Sequence, residues 1–428
     1  MNREKTVKTD NGENTEKQNI DKNNGAGIKD KKKRLSVFKY ILVAAAVLIA
    51  MFPDALINSQ TALRTLITAV GIDRAENGEY RITAQMVLPQ PSADQPPPQN
   101  VVTYEGKTLR AALDGISVKT GRASNLSHCK LIFLGKQIIE EDAVSCLDFF
   151  IRASEINNGI MIAAVSGKAK ESITNLAGFD KVTAYSLPDF LYLSRTNNFS
   201  TAMTLKNYME TYYSGIGDMY MPVVKIVNKE EETEGGGESG GEGTNPELPM
   251  EEMHDDYETA VIKDGKLATV LNKEKTRALI WLDRVSQGGR LMLENVKCGG
   301  EEVIMSMSVR GKDVRVKPYF DKDGKPVYDV RIKLKTALDE VERHTKDGLD
   351  IYAKELLAAE IREKAQQKIE KALNDLLQTN IDGGFDVMKI GENFYRRKNK
   401  QYKKFIANGG DLMKECRLNV SIKIEVNI

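Results

Sequence analysis

The stretch Lys130-Leu131-Ile132-Phe133-Leu134-Gly135 is an apolar run of strand length that stops at a glycine, and Ile160-Met161-Ile162-Ala163-Ala164-Val165 is a second run, apolar throughout. Between them, Asp142 to Ser154 brings Val144, Leu147, Phe150 and Ile151 to one face at helical spacing. A buried strand, an amphipathic helix and another buried strand in that order describe a mixed α/β layer, not a bundle or a sandwich.

Upstream, Thr65 to Ile72 is β-rich, and Tyr80, Ile82, Ala84 and Met86 alternate with polar residues after the turn-forming Glu76-Asn77-Gly78, so the two segments form a hairpin. The prolines of 89–99 continue neither element, because proline fixes φ and lacks an amide donor. Gly106 to Val118 then spaces Leu109, Ala112, Leu113 and Ile116 as a helix.

Downstream, Thr259 to Ile262 and Lys266 to Leu271 flank Lys263-Asp264-Gly265, a second hairpin signal. Val330, Ile332 and Leu334 alternate with polar residues within Val327 to Leu334, a further strand. Tyr352 to Leu377 carries one apolar stripe, Leu357, Ile361, Ala365, Ile369, Leu373 and Leu376, with Glu360, Lys364, Lys368 and Lys371 off it. The chain closes on Leu418, Val420, Ile422, Ile424, Val426 and Ile428 in strict alternation, a strand that needs a sheet to join.

The length of 428 residues predicts two or three compact units. With 62 basic against 61 acidic side chains the net charge is +1, which argues against a nucleic-acid partner. Four widely spaced cysteines, Cys129, Cys146, Cys298 and Cys416, form no CxxC pair and no disulfide framework. The charge is unevenly spread: residues 1–34 hold ten bases and six acids, and 229–256 hold eleven acids and one base.

Leu35 to Phe52 is almost continuously apolar for eighteen residues. A bilayer core of about 30 Å needs roughly 17 to 25 such residues as a helix. Lys29, Lys31, Lys32, Lys33 and Arg34 precede the run, so the N-terminus is expected in the cytoplasm and the bulk of the chain outside it. A cleaved signal peptide shares the basic flank and the apolar run, but the polar tail is long and no small-x-small site follows Phe52. The expectation is an uncleaved transmembrane signal-anchor over 35–53 behind a disordered basic tail, 1–34. A topogenic role accounts for the basic run; contact of Lys31 to Arg34 with anionic lipid is the second reading.

Chemistry is hard to find. His128 beside Cys129 lacks further local metal ligands, His254 belongs to the acidic segment, and Glu340 to His344 is not HExxH. GxSxG, Walker A and GxGxxG patterns are absent, so neither catalysis nor a cofactor is indicated. The glutamates of the Gly-rich acidic segment lack the EF-hand spacing and read as a solvated linker. Tyr395 to Lys404 interleaves tyrosines with bases, a solvated helix face or a surface for anionic headgroups or a partner's acidic loop.

The order of motifs resembles the Ger(x)C family, the C subunits of spore germinant receptors, from about Ala69 to the end. The residues that carry the resemblance are Val70-Gly71-Ile72-Asp73, Gln85, Gly106-Lys107-Thr108, Leu126 to Gly135 with His128, Asp148 to Arg152, and Glu155. They continue with Thr259 to Leu267 through Gly265, then Glu274, Thr276 and Leu279 to Leu282 with Trp281, and end with Asp386, Gly391-Glu392 and Tyr395-Arg396-Arg397. The resemblance implies a three-domain α+β ectodomain of mixed sheets packed with helices and without enzymatic activity. It also implies work beside the multi-pass A and B subunits in the inner membrane of a dormant spore, where nutrients trigger germination. Two departures stand out: an N-terminal helix replaces the usual lipoprotein cysteine, and the acidic loop looks like an insertion. The expected division is ectodomain I at 60–178, ectodomain II at 179–290 with the loop 229–256, and ectodomain III at 291–428 with a long helix at 352–379 and the final strand. A stand-alone extracytoplasmic small-ligand-binding protein is the alternative.

Overall fold

A computed structural model of the chain describes residues 39–43, 64–87, 99–153, 156–157, 159–179, 191–193, 195, 200–225, 258–284, 286, 288–298, 301–342 and 354–427. Of the expected anchor, only Lys39–Val43 are described, as helix with exposed side chains; the rest of 35–53, the tail 1–34 and the acidic segment 229–256 lie outside the described residues. Among the described residues no helix is long and apolar enough to cross a membrane. The fold is mixed α+β, and residues 65–428 form one compact unit.

The hairpin expected near the start is β1 (Arg64–Arg74) and β2 (Tyr80–Val87), antiparallel and extended by β3 (Gln99–Gly106). Helix α1 (Leu109–Thr120) follows, opened by the Thr108 hydroxyl accepting from the Ala111 amide and closed by Gly121 in the left-handed region. After β4 (Ala123–Asn125) come β5 (Leu131–Leu134), α2 (Lys136–Glu141), α3 (Ala143–Arg152) and β6 (Met161–Val165). β5 and β6 are buried at every position because they run parallel in the middle of a sheet that is covered on both faces.

The chain continues through α4 (Ala169–Phe179), β7 (Met203–Thr204), α5 (Leu205–Ser214), β8 (Met219–Val224), β9 (Glu258–Lys263) and β10 (Lys266–Leu271). Among the described residues these strands form one ten-stranded sheet in the order β10-β9-β8-β6-β5-β1-β2-β3, with β4 beside β1 and β7 beside β6. The sheet takes strands from both 60–178 and 179–290. One face packs on α1, α2, α3 and α5 through Ile72, Ile132, Leu113, Leu147 and Tyr208. The other packs on α4 through Phe133, Ala163 and Ile173.

Helix α6 (Lys273–Leu282) leads to β11 (Arg290–Cys298), β12 (Glu301–Phe320) and β13 (Pro326–Glu342). The long helix α7 (Lys354–Gly383) and the short helices α8 (Ile390–Arg397), α9 (Asn399–Ala407) and α10 (Leu412–Glu415) precede β14 (Arg417–Asn427). The last strand joins β13 in parallel, completing a four-stranded sheet β11-β12-β13-β14. Ile361, Ala365, Ile369, Leu373 and Leu376 of α7 are buried in the core shared with this sheet, each large side chain contributing about 1.5–3 kcal/mol by burial. The same core takes in Val261, Leu271 and Trp281, so it is continuous with the edge of the first sheet.

Candidate functional site

The first motif residues fasten helices to the larger sheet. Asp73 ends β1 almost fully buried; its Oδ1 accepts from the Ala169 amide at 2.7 Å and its Oδ2 from the Lys170 amide at 2.8 Å, capping α4 from another strand. Burial raises the Asp73 carboxyl above its ordinary value, against the pull of those amides and of Arg81. Gly71 is glycine because a Cβ there would sit 2.9 Å from Ile173 Cδ1 and 3.0 Å from Ala169 Cβ, holding α4 off the sheet. Gly106 does the same at α1, where a Cβ would lie 2.7 Å from the Ala112 nitrogen. Gln85 is buried on β2, and its carbonyl accepts from the Thr68 hydroxyl.

A second set surrounds the β9–β10 hairpin. Asp264 (φ 50°) and Gly265 (φ 84°) make the turn, and the Gly265 carbonyl accepts from the Ala143 amide at the start of α3. Thr276 is fully buried, with its hydroxyl 3.1 Å from that of Thr259 and 3.2 Å from the Leu271 carbonyl; Thr201 reaches Thr259 from the other side at 3.1 Å. Glu274 in the first turn of α6 pairs with Arg277 at 3.8 Å.

The third set joins the two sheets. Asp386, buried before α8, accepts from the Ile390 amide at 2.9 Å and from the Gly391 amide at 2.7 Å. Its own amide donates to Asp218 Oδ2 at 2.7 Å, its carbonyl accepts from the Asp218 amide at 3.2 Å, and Lys263 Nζ donates to the Gly384 carbonyl at 2.6 Å. Burial pushes the Asp386 carboxyl up to about 6; the two α8 amides oppose this, while Asp218 and Glu392 reinforce it.

Beside this joint opens a cleft of about 420 Å³ between the end of α6, β12 and α8. Leu279, Val387 and Met388 supply its apolar floor, and Arg195, Arg284, Lys389, Arg396 and Arg397 its charged walls. Arg195 binds Asp283 by two contacts, Nε–Oδ2 at 2.6 Å and Nη2–Oδ1 at 3.2 Å. Glu392 takes Arg396 at 3.0 Å and Lys389 at 3.9 Å, and the Arg397 guanidinium donates to the Val316 carbonyl. Asn393 donates to the Tyr328 hydroxyl at 3.0 Å, which donates to the Met388 carbonyl at 3.1 Å, fixing that wall. Behind the cleft, Lys312 donates to the Ile280 carbonyl at 2.8 Å and lies 5.6 Å from the ring centroid of Trp281; burial lowers its ammonium to about 8.

The structure therefore gathers Asp386, Gly391 and Arg396 near one joint, keeps Glu274, Thr276 and Trp281 on α6, and spreads the other described motif positions over the first sheet and the helices and turns beside it. His128 is exposed on the turn before β5, and Arg152 pairs on the surface with Asp148 at 2.6 Å. Glu155, His254 and His344 lie outside the described residues. Cys129 is a buried thiol pushed up to about 12 by burial. Among the described residues no group of three or more His, Cys, Asp and Glu is placed to hold a metal ion. Sequence reasoning missed Asp218, Arg195 and Asp283, whose partners are remote along the chain, and Arg284, which only the fold brings to the cleft; no local spacing announces them.

Comparison with known proteins covers both halves. Residues 62–226 match the family model described as spore germination protein N-terminal domain, and residues 257–428 match the one described as spore germination B3/GerAC like, C-terminal. A curated relative, spore germination protein KC of Bacillus subtilis (strain 168), is 20% identical over 356 residues, 79% of this chain and 83% of the relative. The crystal structure of the GerBC protein is similar over 84% of this chain and 97% of its own, at 17% identity and a TM-score of 0.48. With the two family models matched in order along one chain, this protein belongs to the Ger(x)C family of spore germination proteins.

Proposed function

We propose that this chain is a non-enzymatic C subunit of a spore germinant receptor, required for nutrients to trigger germination. The observation that carries this reading is the ordered match of both family domains over residues 62–226 and 257–428. The geometry supports it: the motif carboxylates Asp73 and Asp386 are occupied by helix amides, as befits residues that hold an architecture together. The partners are the multi-pass A and B subunits. Deleting the gene in a sporulating host is expected to abolish or strongly slow germination with at least one nutrient, and a tagged full-length chain is expected to co-purify with a multi-pass protein. Unchanged germination with every nutrient together with no such partner refutes the reading.

The sequence run Leu35 to Phe52 supports an uncleaved span in the inner membrane, with the N-terminus cytoplasmic and Thr65 onward outside. Protease added to intact protoplasts is expected to remove a C-terminal tag from the full-length chain. A protected tag, or a mature protein that begins after Phe52, overturns this topology. The second reading, a stand-alone extracytoplasmic binder of small ligands, draws on the cleft beside the joint.

A further inference from the structure

We propose that the cleft between α6, β12 and α8 is a binding site for a small organic anion, a carboxylate that carries an apolar body. The inference goes beyond the receptor reading and holds whatever complex the chain joins.

The charge on the walls is not balanced internally. Among the described residues five bases line the cleft, Arg195, Arg284, Lys389, Arg396 and Arg397, against two acids, Asp283 and Glu392, an excess of three positive charges. Asp283 binds Arg195 by two contacts, and Glu392 is shared by Arg396 and Lys389. Among the described residues Arg284 and Arg397 have no carboxylate partner. Arg397 is nonetheless held in place, because its guanidinium donates to the Val316 carbonyl. A planar guanidinium presents paired donors that match a carboxylate, as Arg195 and Asp283 already demonstrate on the same wall.

Shape and floor choose the rest of the ligand. A volume of about 420 Å³ falls in the range of small-molecule sites. Leu279, Val387 and Met388 close the floor with almost no exposed surface, whereas Leu282 and Tyr220 are half-buried and line the cleft, so an apolar group can cover these two while its carboxylate meets the arginines. The wall formed by Asn393, Tyr328 and Met388 is locked by its own hydrogen bonds, so little ordering is needed on binding.

The chain has one tryptophan, Trp281, and the next three residues, Leu282, Asp283 and Arg284, line the cleft. Intrinsic fluorescence of the full-length protein in a neutral detergent therefore reads occupancy, with calorimetry as a second readout. The probes are N-acetyl-L-leucine, N-acetyl-L-phenylalanine, the corresponding uncharged amides, and inorganic phosphate. A saturable signal is expected for the two carboxylates. The double variant Arg284→Gln with Arg397→Gln is expected to weaken it about tenfold or more, the loss of two charge-assisted donors. Arg152→Gln, in the separate groove lined by Arg110, Leu113 and Phe149, is expected to leave it unchanged. Unaltered thermal melting of the variants shows that folding is not the cause. No saturable fluorescence or heat with either carboxylate up to about 50 mM, far above a ~1 mM dissociation constant, overturns the proposal. So does equal binding of the amides, or a double variant that binds as tightly as Arg152→Gln. Phosphate binding as tightly as the acylated amino acids overturns the apolar body of the ligand.

Discussion

Replacing Phe394 by alanine is expected to lower the unfolding free energy by about 3–5 kcal/mol, the cost of truncating a fully enclosed aromatic side chain. Phe394 lies on the buried face of α8, with its ring centroid 5.2 Å from that of Phe320 at an interplanar angle of 69°. Phe320 also meets Phe405 of α9 at 5.5 Å, so one ring from β12 anchors two short helices. α8 has only eight residues, too few for a helix to persist on its own propensity, and its position therefore depends on this packing. The neighbouring Asn393 and Arg397 wall the cleft, so the same substitution is expected to weaken any ligand held there. Urea unfolding measures the first effect, with Phe394→Leu retaining much of the volume and losing less. An alanine variant within about 1 kcal/mol of the parent would show that α8 is not held by its aromatic contact.

Elements with an unbroken period are legible in the sequence alone. The stripe of α7, the alternation of β14 and the turn at Asp264-Gly265 each follow one rule from end to end. Two strands of the smaller sheet, β11 and β12, do not. In β11, Leu291 and Leu293 are buried and then Val296, because the register shifts there and Asn295 adopts φ 55°. In β12, Val303, Met305, Met307 and Val309 face the core, and after the shift at Gly311 the buried positions become Val314 and Val316. Each irregularity adds a residue and reverses which parity points inward, so a search for period 2 sees two fragments in place of one long strand. β8 is hidden differently: Pro222 lies within it, and proline argues against a strand paired on both sides. Here β6 pairs only with Val223 and Val224, beyond the proline.

The joint is less legible than the fold. The family resemblance singles out Asp386 and Gly391 without a reason, and the structure supplies one in the α8 amides they share. Asp218 meets Asp386 across 168 residues of sequence, a separation at which no spacing rule operates. Charged residues such as Arg195 and Arg284 look like any solvated surface until the fold places them on one cleft.

Asp386 is expected to make the stability of the protein fall as pH rises from about 4 to about 6, opposite to the behaviour of a salt-bridged carboxylate. An unfolded aspartate titrates near 3.9, whereas burial pushes this one up to about 6. Between those values the folded chain keeps a proton that the unfolded chain has released, so the unfolding free energy decreases with rising pH. The contribution is complete below about pH 4 and gone above about pH 6, and its size is about 3 kcal/mol. Burial dominates, the Ile390 and Gly391 amides favour the charged form, and Asp218 and Glu392 disfavour it. Other carboxylates titrate in the same range, so the test is a difference. Asp386→Asn keeps the shape and cannot ionise; it loses one of the two acceptors, a cost that does not depend on pH across this window. Urea midpoints measured from pH 4 to 7 are expected to converge as pH rises, the parent losing stability relative to the variant. Asp218→Asn, by removing a neighbouring negative charge, is expected to move the window towards lower pH. Parallel curves for parent and Asp386→Asn would mean that the carboxyl titrates normally and that the α8 amides offset burial. The joint between the sheets would then rest on an ordinary charged cap.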